Sequence, residues 1–148
     1  MLIFCDVIND LLISKNINQR QLSLKTNIST TDVSEYCSGT LPNIPNLVKL
    51  ANFFDCSTDY LLGIKEEDKI KNFNASYVYA FENFYNTLLN LVKDKNLTFY
   101  KLSKIIGVHK NTIYNWKNGV NPSCLTLIKL SEYFGVSVDY LVGRTDNM

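Results

Sequence analysis

Apolar residues recur along the chain at intervals of three and four positions, which is the spacing of an amphipathic helix. An opening helix with this pattern ends near Lys15, and a second one ends near Lys95. The apolar positions expected to face the core are Ile3, Val7 and Leu11 in the first helix and Phe84, Leu88 and Leu91 in the second. The pattern therefore predicts two helical segments of similar design, one in each half of the chain.

A short second helix is expected directly after each opening helix, because a capping residue follows at once. Asn18 with Gln21 three positions later has the spacing of a capping box, and Thr98 is also a suitable N-cap. The next break falls at Asn27 and at Gly107, the residue types that best tolerate a left-handed backbone conformation. Two short helices joined by such a tight elbow form a helix-turn-helix.

Three further helices are predicted in each half. The third covers Thr30 to Ser38, or Lys110 to Asn118, and stops at a glycine. A proline and a capping residue then open a fourth helix, and a serine caps a fifth that closes at another glycine. The residues with these roles are Gly39, Pro42, Asn43, Ser57 and Gly63 in the first half and Gly119, Pro122, Ser123, Ser137 and Gly143 in the second. Each half is therefore expected to be a five-helix bundle.

The two halves match each other at a constant shift of 80 residues without a gap. The closest match lies between Leu47 to Gly63 and Leu127 to Gly143, where nine residues are identical. A repeat of this kind marks a duplicated structural unit, and roughly 64 residues are enough for a small helical domain. We predict one domain at 1–64, a polar and charged linker at 65–76, and a second domain at 77–148.

The segment LTFYKLSKIIGVHKNTIYNWKNGVNPSCLTLIKLSEYFGVSVDYLVG, from Leu97 to Gly143, resembles the lambda-repressor-like, or Xre, family of helix-turn-helix proteins. The first half repeats the same frame, from INQRQLSLKTNISTTDVSEYCSGTLP through STDYLLG. The resemblance implies an all-α fold of two tandem five-helix, lambda-repressor-like DNA-binding domains. It also implies sequence-specific binding to double-stranded DNA, commonly as a two-fold arrangement on a palindrome, and commonly transcriptional repression.

The third helix of the second half carries side chains suited to duplex DNA. Asparagine can pair bidentately with adenine in the major groove, and lysine can reach guanine or phosphate. The predicted DNA-binding residues are His109, Lys110, Asn111, Tyr114, Asn115, Lys117 and Asn118. By resemblance to the family, Lys110, Asn111 and Asn115 occupy base-reading positions and Asn118 a phosphate-contacting one. Lys101 and Lys104 on the preceding helix would add neutralisation of the DNA backbone.

Two positions of the second half depart from the family pattern. Phe99 stands where the family often has a glutamine that contacts phosphate, which leaves Phe99 to pack against a partner or a sugar edge. His109 stands where a serine or threonine cap is common, so it is either an exposed, weak cap or a pH-sensitive DNA contact. Trp116 and its counterpart Tyr36 share a position that we interpret as a core anchor.

Charge separates the two halves. Residues 1–68 carry five Lys/Arg against nine Asp/Glu, a net charge of −4, whereas residues 69–148 carry ten against five, a net charge of +5. The third helix of the first half has no Lys or Arg and includes Asp32 and Glu35, which meet a polyanion unfavourably. Weaker DNA contacts could come from Thr30, Thr31 and Ser34. The first domain is therefore expected to bind DNA weakly or to contact proteins.

Composition excludes several other classes of protein. With 46% hydrophobic and 20% charged residues, the chain resembles an ordinary globular protein, and no apolar run approaches the roughly 18 residues of a membrane span. The N-terminus does not resemble a secretion signal, so we expect a cytoplasmic protein with reduced, semi-buried cysteines. Four scattered cysteines and one histidine predict no metal site, and the chain shows no pattern for a catalytic residue, cofactor or small-molecule ligand.

Three functional hypotheses remain open. In the first, both domains of one chain lie on two half-sites, since a linker of roughly 11 residues can span about 35 Å, similar to the roughly 34 Å between half-sites. In the second, which we favour slightly, the second domain binds DNA while the first domain or linker forms a homodimer. In the third, the protein is an antirepressor or antitoxin-like interaction module that keeps the fold without binding DNA.

Overall fold

The structure, a computed structural model, describes residues 3–66 and 72–148, and in these ranges the regular elements are all helices. Contacts divide the chain into two compact units, Met1–Val78 and Tyr79–Met148, which we call unit 1 and unit 2. Within the described residues each unit contains five helices, which confirms the predicted all-α fold with tandem repeats.

The helices of unit 1 are α1 (Phe4–Lys15), α2 (Gln19–Thr26), α3 (Thr30–Ser38), α4 (Ile44–Phe54) and α5 (Thr58–Leu61). Those of unit 2 are α6 (Phe81–Asp94), α7 (Phe99–Ile106), α8 (Lys110–Lys117), α9 (Cys124–Phe134) and α10 (Val138–Val142). The bounds follow the predicted ones closely, although α8 ends one residue early, with Asn118 as its C-cap.

Local hydrogen bonds explain where the helices begin. The side chain of Asn18 accepts the backbone N–H of Gln21 at 2.8 Å, and the Gln21 side chain accepts the backbone N–H of Asn18 at 2.9 Å. This reciprocal pair is the predicted capping box. In unit 2 the hydroxyl of Thr98 accepts the backbone N–H of Lys101 at 3.2 Å. Each cap satisfies backbone donors that a helix start otherwise leaves unpaired.

The side of α1 that faces the core differs from the predicted one at two positions, Ile3 and Leu11, whereas Val7 is buried as predicted. The buried residues of α1 are Phe4, Val7, Ile8 and Leu12, whereas Ile3 is 57% exposed and Leu11 only half-buried. The helix begins at Phe4, with Ile3 as its N-cap, and the Phe4 ring packs edge-on against Tyr36 at 6.2 Å. The aromatic contact thus sets the rotation of the helix. In α6 the predicted residues Phe84, Leu88 and Leu91 are all buried.

The same edge-on aromatic contact recurs in unit 2, at positions shifted by 80 residues. The ring of Phe84 meets that of Trp116 edge-on, with centroids 5.9 Å apart, as Phe4 meets Tyr36 in unit 1. Tyr36 and Trp116 are both buried, which agrees with their interpretation as core anchors. These contacts attach α3 to α1 and α8 to α6, so that the inner side of each third helix is fixed and its outer side is free.

The aromatic residues before α6 make contacts within their own units. The backbone carbonyl of Tyr77 accepts the side-chain N–H of Asn52 at 2.8 Å within unit 1. The hydroxyl of Tyr79 lies 2.7 Å from the side-chain oxygen of Asn121 within unit 2. The predicted linker, 65–76, includes residues 67–71, which lie outside the described residues, and the domain limits 1–64 and 77–148 remain a prediction.

Candidate nucleic-acid interface

The helix-turn-helix of unit 2 is formed by α7, a tight elbow and α8. Gly107 ends α7 with a φ of +73°, a backbone conformation that is unfavourable for residues with a side chain. Its backbone N–H donates to the carbonyl of Ser103. Ser103 itself is buried, so a small side chain allows the two helices to approach at the elbow. Unit 1 makes the same turn with Asn27, whose φ is 58°. Both elbows are the predicted ones.

The helix α8 has two chemically different sides. Ile113 and Trp116 are each 1% exposed and hold the helix on the core of unit 2. The predicted DNA-binding residues all lie exposed around the opposite side and at the two ends: His109, Lys110, Asn111, Tyr114, Asn115, Lys117 and Asn118. Two lysine ammonium groups and three asparagine amides are thereby available to a ligand, without an acidic residue in α8. Such a surface suits the acceptors of bases and phosphates.

His109 caps the start of α8. Its ring nitrogen Nδ1 accepts the backbone N–H of Asn111 at 3.1 Å, a bond across two residues rather than the usual three. Because Nδ1 accepts this hydrogen bond, the neutral ring carries its hydrogen on Nε2. The histidine therefore fixes the backbone of Asn111, a predicted base-reading residue. Unit 1 uses a simpler cap, because the hydroxyl of Ser29 accepts the backbone N–H of Asp32 at 3.0 Å.

A cleft at the elbow brings two lysines together. The open cleft has a volume of about 520 Å³, and its lining includes Lys104 from α7 and His109 and Lys110 from the start of α8. The ammonium of Lys104 lies 5.1 Å from the centre of the Tyr100 ring, a cation–π contact that holds the lysine beside the elbow. Lys104 was predicted on the preceding helix, but its position beside Lys110 was not predicted from the sequence. The structure shows that it adds positive charge next to the start of α8.

Phe99 makes a contact that the sequence did not predict. Its half-buried ring lies 6.4 Å from the ring of Tyr85 on α6, so it packs inside unit 2. Tyr85 in turn stacks on Phe81 at 5.8 Å. This contact within unit 2 supports the start of α7, and the packing of Phe99 against a partner or a sugar edge stays a prediction.

The equivalent surface of unit 1 has the same geometry and different chemistry. Val33 and Tyr36 are buried, while Thr30, Thr31 and Ser34 are exposed, as expected for the outer side of α3. Glu35 is exposed where unit 2 has Asn115, and α3 contains no lysine or arginine. The exposed side chain of Leu24 occupies the position of Lys104. The two units thus present one scaffold with two surfaces of different charge.

The residues described by the structure, 3–66 and 72–148, bear on two other classes of site. In those ranges, no three or more side chains of His, Cys, Asp and Glu come together in a group that could hold a metal ion. Among the described residues, none of the helices combines the length and the apolar character needed to cross a bilayer.

Two five-helix units, each with a capped elbow and an outward-facing third helix, define a tandem helix-turn-helix protein of the DNA-binding class. The comparison with protein families agrees: the family model described as helix-turn-helix matches twice, at residues 8–61 and 88–141. These two regions cover more than half of the chain, and the protein belongs to this family of DNA-binding regulators. Comparisons with curated proteins and with solved structures gave no match.

Proposed function

We propose that the second domain binds a specific double-stranded DNA sequence by inserting α8 into the major groove, and that the protein represses transcription at the sites it covers. One observation carries the proposal. The exposed side of α8 combines lysines and asparagines on a helix whose inner side is fixed by Ile113 and Trp116. A rigid helix with donors on its outer side is the arrangement that direct readout of bases requires.

The residues divide into two kinds of contact. Asn111 and Asn115 lie four residues apart, on one side of the helix, where their amides can pair with the edges of adenines. Lys104, Lys110 and Lys117 supply charge that attracts phosphates and gives affinity without sequence preference. Repression follows the common role of the family, since a protein that covers an operator excludes other proteins from it.

The first domain has a different role in this proposal. Its exposed Glu35 and the absence of cations from α3 disfavour close approach to phosphates, so it binds DNA weakly or not at all. We assign it to contacts between copies of the chain, which would bring two second domains onto the two halves of a palindromic site. A homodimer of this kind also explains how short recognition helices reach useful affinity, because two linked contacts act together.

Selection from a pool of random duplexes tests the proposal without knowledge of the operator. The unit-2 variant carries Lys110→Thr, Asn111→Thr and Asn115→Glu, which are the residues of unit 1 at the same positions and therefore suit the fold. The control variant carries Thr30→Ala, Thr31→Ala and Ser34→Ala on unit 1.

The wild type and the control variant are expected to enrich the same sequence motif, and the unit-2 variant is expected to lose it. A palindromic motif supports the homodimer. Equal loss in both variants would contradict the assignment of recognition to unit 2. Absence of any enriched motif in the wild type at low salt would favour the alternative of a protein-interaction module, in the manner of an antirepressor or antitoxin-like adaptor.

A further inference from the structure

Two of the four cysteines, Cys5 and Cys37, differ from the others in their surroundings. Both residues are half-buried, whereas Cys56 and Cys124 are buried. Burial raises the pKa of the Cys124 thiol to about 12, which keeps it protonated and unreactive. Cys5 and Cys37 are 32 positions apart in the sequence and have no role in the proposed DNA contact.

Packing of α1 against α3 brings these two thiols together. Asn9, one helical turn after Cys5 and on the same side of α1, donates its side-chain N–H to the backbone carbonyl of Cys37 at 3.1 Å. The preceding residues, Phe4 and Tyr36, are also in contact, with ring centroids 6.2 Å apart. The pKa of the Cys37 thiol is raised, first by burial and then by the neighbouring Cys5. The two side chains therefore lie next to each other.

We propose that Cys5 and Cys37 form a site of oxidative modification, in which hydrogen peroxide converts the two thiols into a disulfide that joins α1 to α3. A disulfide needs Cα atoms about 4.4–6.8 Å apart, a separation that residues on the facing sides of two packed helices can reach. The pair belongs to unit 1 alone, because the equivalent positions in unit 2 are Tyr85 and Lys117. The inference is independent of DNA binding.

The reaction proceeds in two steps. The thiolate of Cys5 attacks one peroxide oxygen: an S–O bond forms, the O–O bond breaks, and the departing hydroxide takes a proton and leaves as water. The raised pKa of Cys37 makes it the second reactant. Its sulfur attacks the sulfenic sulfur of Cys5, the S–S bond forms, the S–O bond breaks, and a second water leaves with the Cys37 proton. Two electrons pass from the sulfurs to the peroxide.

The disulfide would connect α1 to α3, the helix that carries the exposed outer surface of unit 1. It closes a loop that contains α2 and the elbow, so it restricts the unfolded chain and holds α3 on α1. If the surface of α3 contacts another protein, oxidation makes that surface more rigid. The sequence alone did not indicate the pair, because helices that pack against each other bring together residues that are distant along the chain.

Peptide mapping of the full chain after exposure to hydrogen peroxide tests the proposal. Remaining thiols are alkylated after denaturation, and the chain is digested without reductant. The expected product is a cross-linked peptide pair containing Cys5 and Cys37 from monomeric protein, with Cys56 and Cys124 alkylated. Recovery of Cys5 and Cys37 as separate alkylated or over-oxidised residues overturns the proposal, as does linkage only between different chains.

Two single variants and a melting experiment complete the test. Cys37→Ser is expected to leave Cys5 as a trappable sulfenic acid, and Cys5→Ser is expected to abolish the reaction at Cys37. Oxidation of the wild type is expected to raise the helix melting temperature of unit 1 by roughly 10 °C, reversibly with dithiothreitol. Trp116 is the only tryptophan, so its fluorescence reports on unit 2 and is expected to be unchanged. An unchanged melting temperature in the cross-linked protein would overturn the claim that the bond holds α3 on α1.

Discussion

Trp116 connects the stability of unit 2 to the position of α8, the helix proposed to bind DNA. Its replacement by alanine makes this connection measurable. The side chain is 1% exposed and meets the Phe84 ring edge-on at 5.9 Å. It is the largest fully buried side chain of the described residues. Its removal would therefore leave a cavity between α8 and α6, directly beneath the residues proposed to bind DNA.

The expected loss is large for a domain of this size. Truncation of a buried tryptophan to alanine costs about 3–5 kcal/mol, and this figure includes the lost aromatic pair. A unit of 70 residues, Tyr79–Met148, has a total stability of about 4–10 kcal/mol at the usual stability per residue. Trp116→Ala is therefore expected to unfold unit 2 partly or completely at 37 °C, while unit 1 remains folded.

Urea denaturation followed by far-ultraviolet circular dichroism measures the effect. The matched control is Trp116→Tyr, which introduces the residue of unit 1 and is expected to cost about 1–2 kcal/mol. A cost is expected because the hydroxyl of Tyr36 accepts the side-chain N–H of Asn46 at 2.8 Å in unit 1. Unit 2 has Thr126 at the position of Asn46, so the new tyrosine hydroxyl would lack this donor. A loss below about 1.5 kcal/mol for the alanine variant would refute the assignment of Trp116 as the anchor of α8.

Two further predictions concern stability. Asn18→Ala removes the side-chain oxygen that accepts the backbone N–H of Gln21, and it is expected to lower the free energy of unfolding of unit 1 by about 1 kcal/mol. Urea denaturation measures this loss, and an unchanged midpoint would contradict it. Arg144→Met removes the guanidinium whose Nη1 lies 3.0 Å from the buried carboxylate of Asp139, and it is expected to cost unit 2 about 3–5 kcal/mol. Thermal denaturation checks this second value, and a shift of only a few degrees would show that the buried pair contributes little.

Local signals explain why much of the fold could be predicted from the sequence. The capping box of Asn18 and Gln21 depends only on residues three positions apart. The elbows at Asn27 and Gly107 depend on residue types that accept a positive φ, and both residues have it. The repeat then strengthened each assignment, because the same signal occurred twice at a constant shift.

Contacts between distant residues explain most of what could not be predicted. The rotation of α1 depends on Phe4 meeting Tyr36, and a helical pattern alone does not distinguish that face from one beginning at Ile3. The contact of Phe99 with Tyr85 depends on how α6 crosses α7. The proximity of Cys5 and Cys37 is of the same kind, since it results from the packing of α1 on α3.

The chemistry of the candidate site was only partly visible in the sequence. The outer positions of α8 were predicted from the helix-turn-helix motif, and Trp116 is buried in agreement with its interpretation as a core anchor. The cap formed by His109 and the cation–π contact of Lys104 with Tyr100 required side-chain geometry that the sequence does not specify.

The most direct test of recognition by unit 2 is a reciprocal exchange at one equivalent position, measured as affinity for the selected duplex at several salt concentrations. Asn115→Glu gives unit 2 the residue of unit 1, and Glu35→Asn makes the opposite change. We expect Asn115→Glu to weaken binding by roughly tenfold or more, through the lost base contact and the added repulsion, and Glu35→Asn to leave the affinity nearly unchanged. A strong effect of Glu35→Asn with little effect of Asn115→Glu would contradict the account and transfer DNA recognition to unit 1.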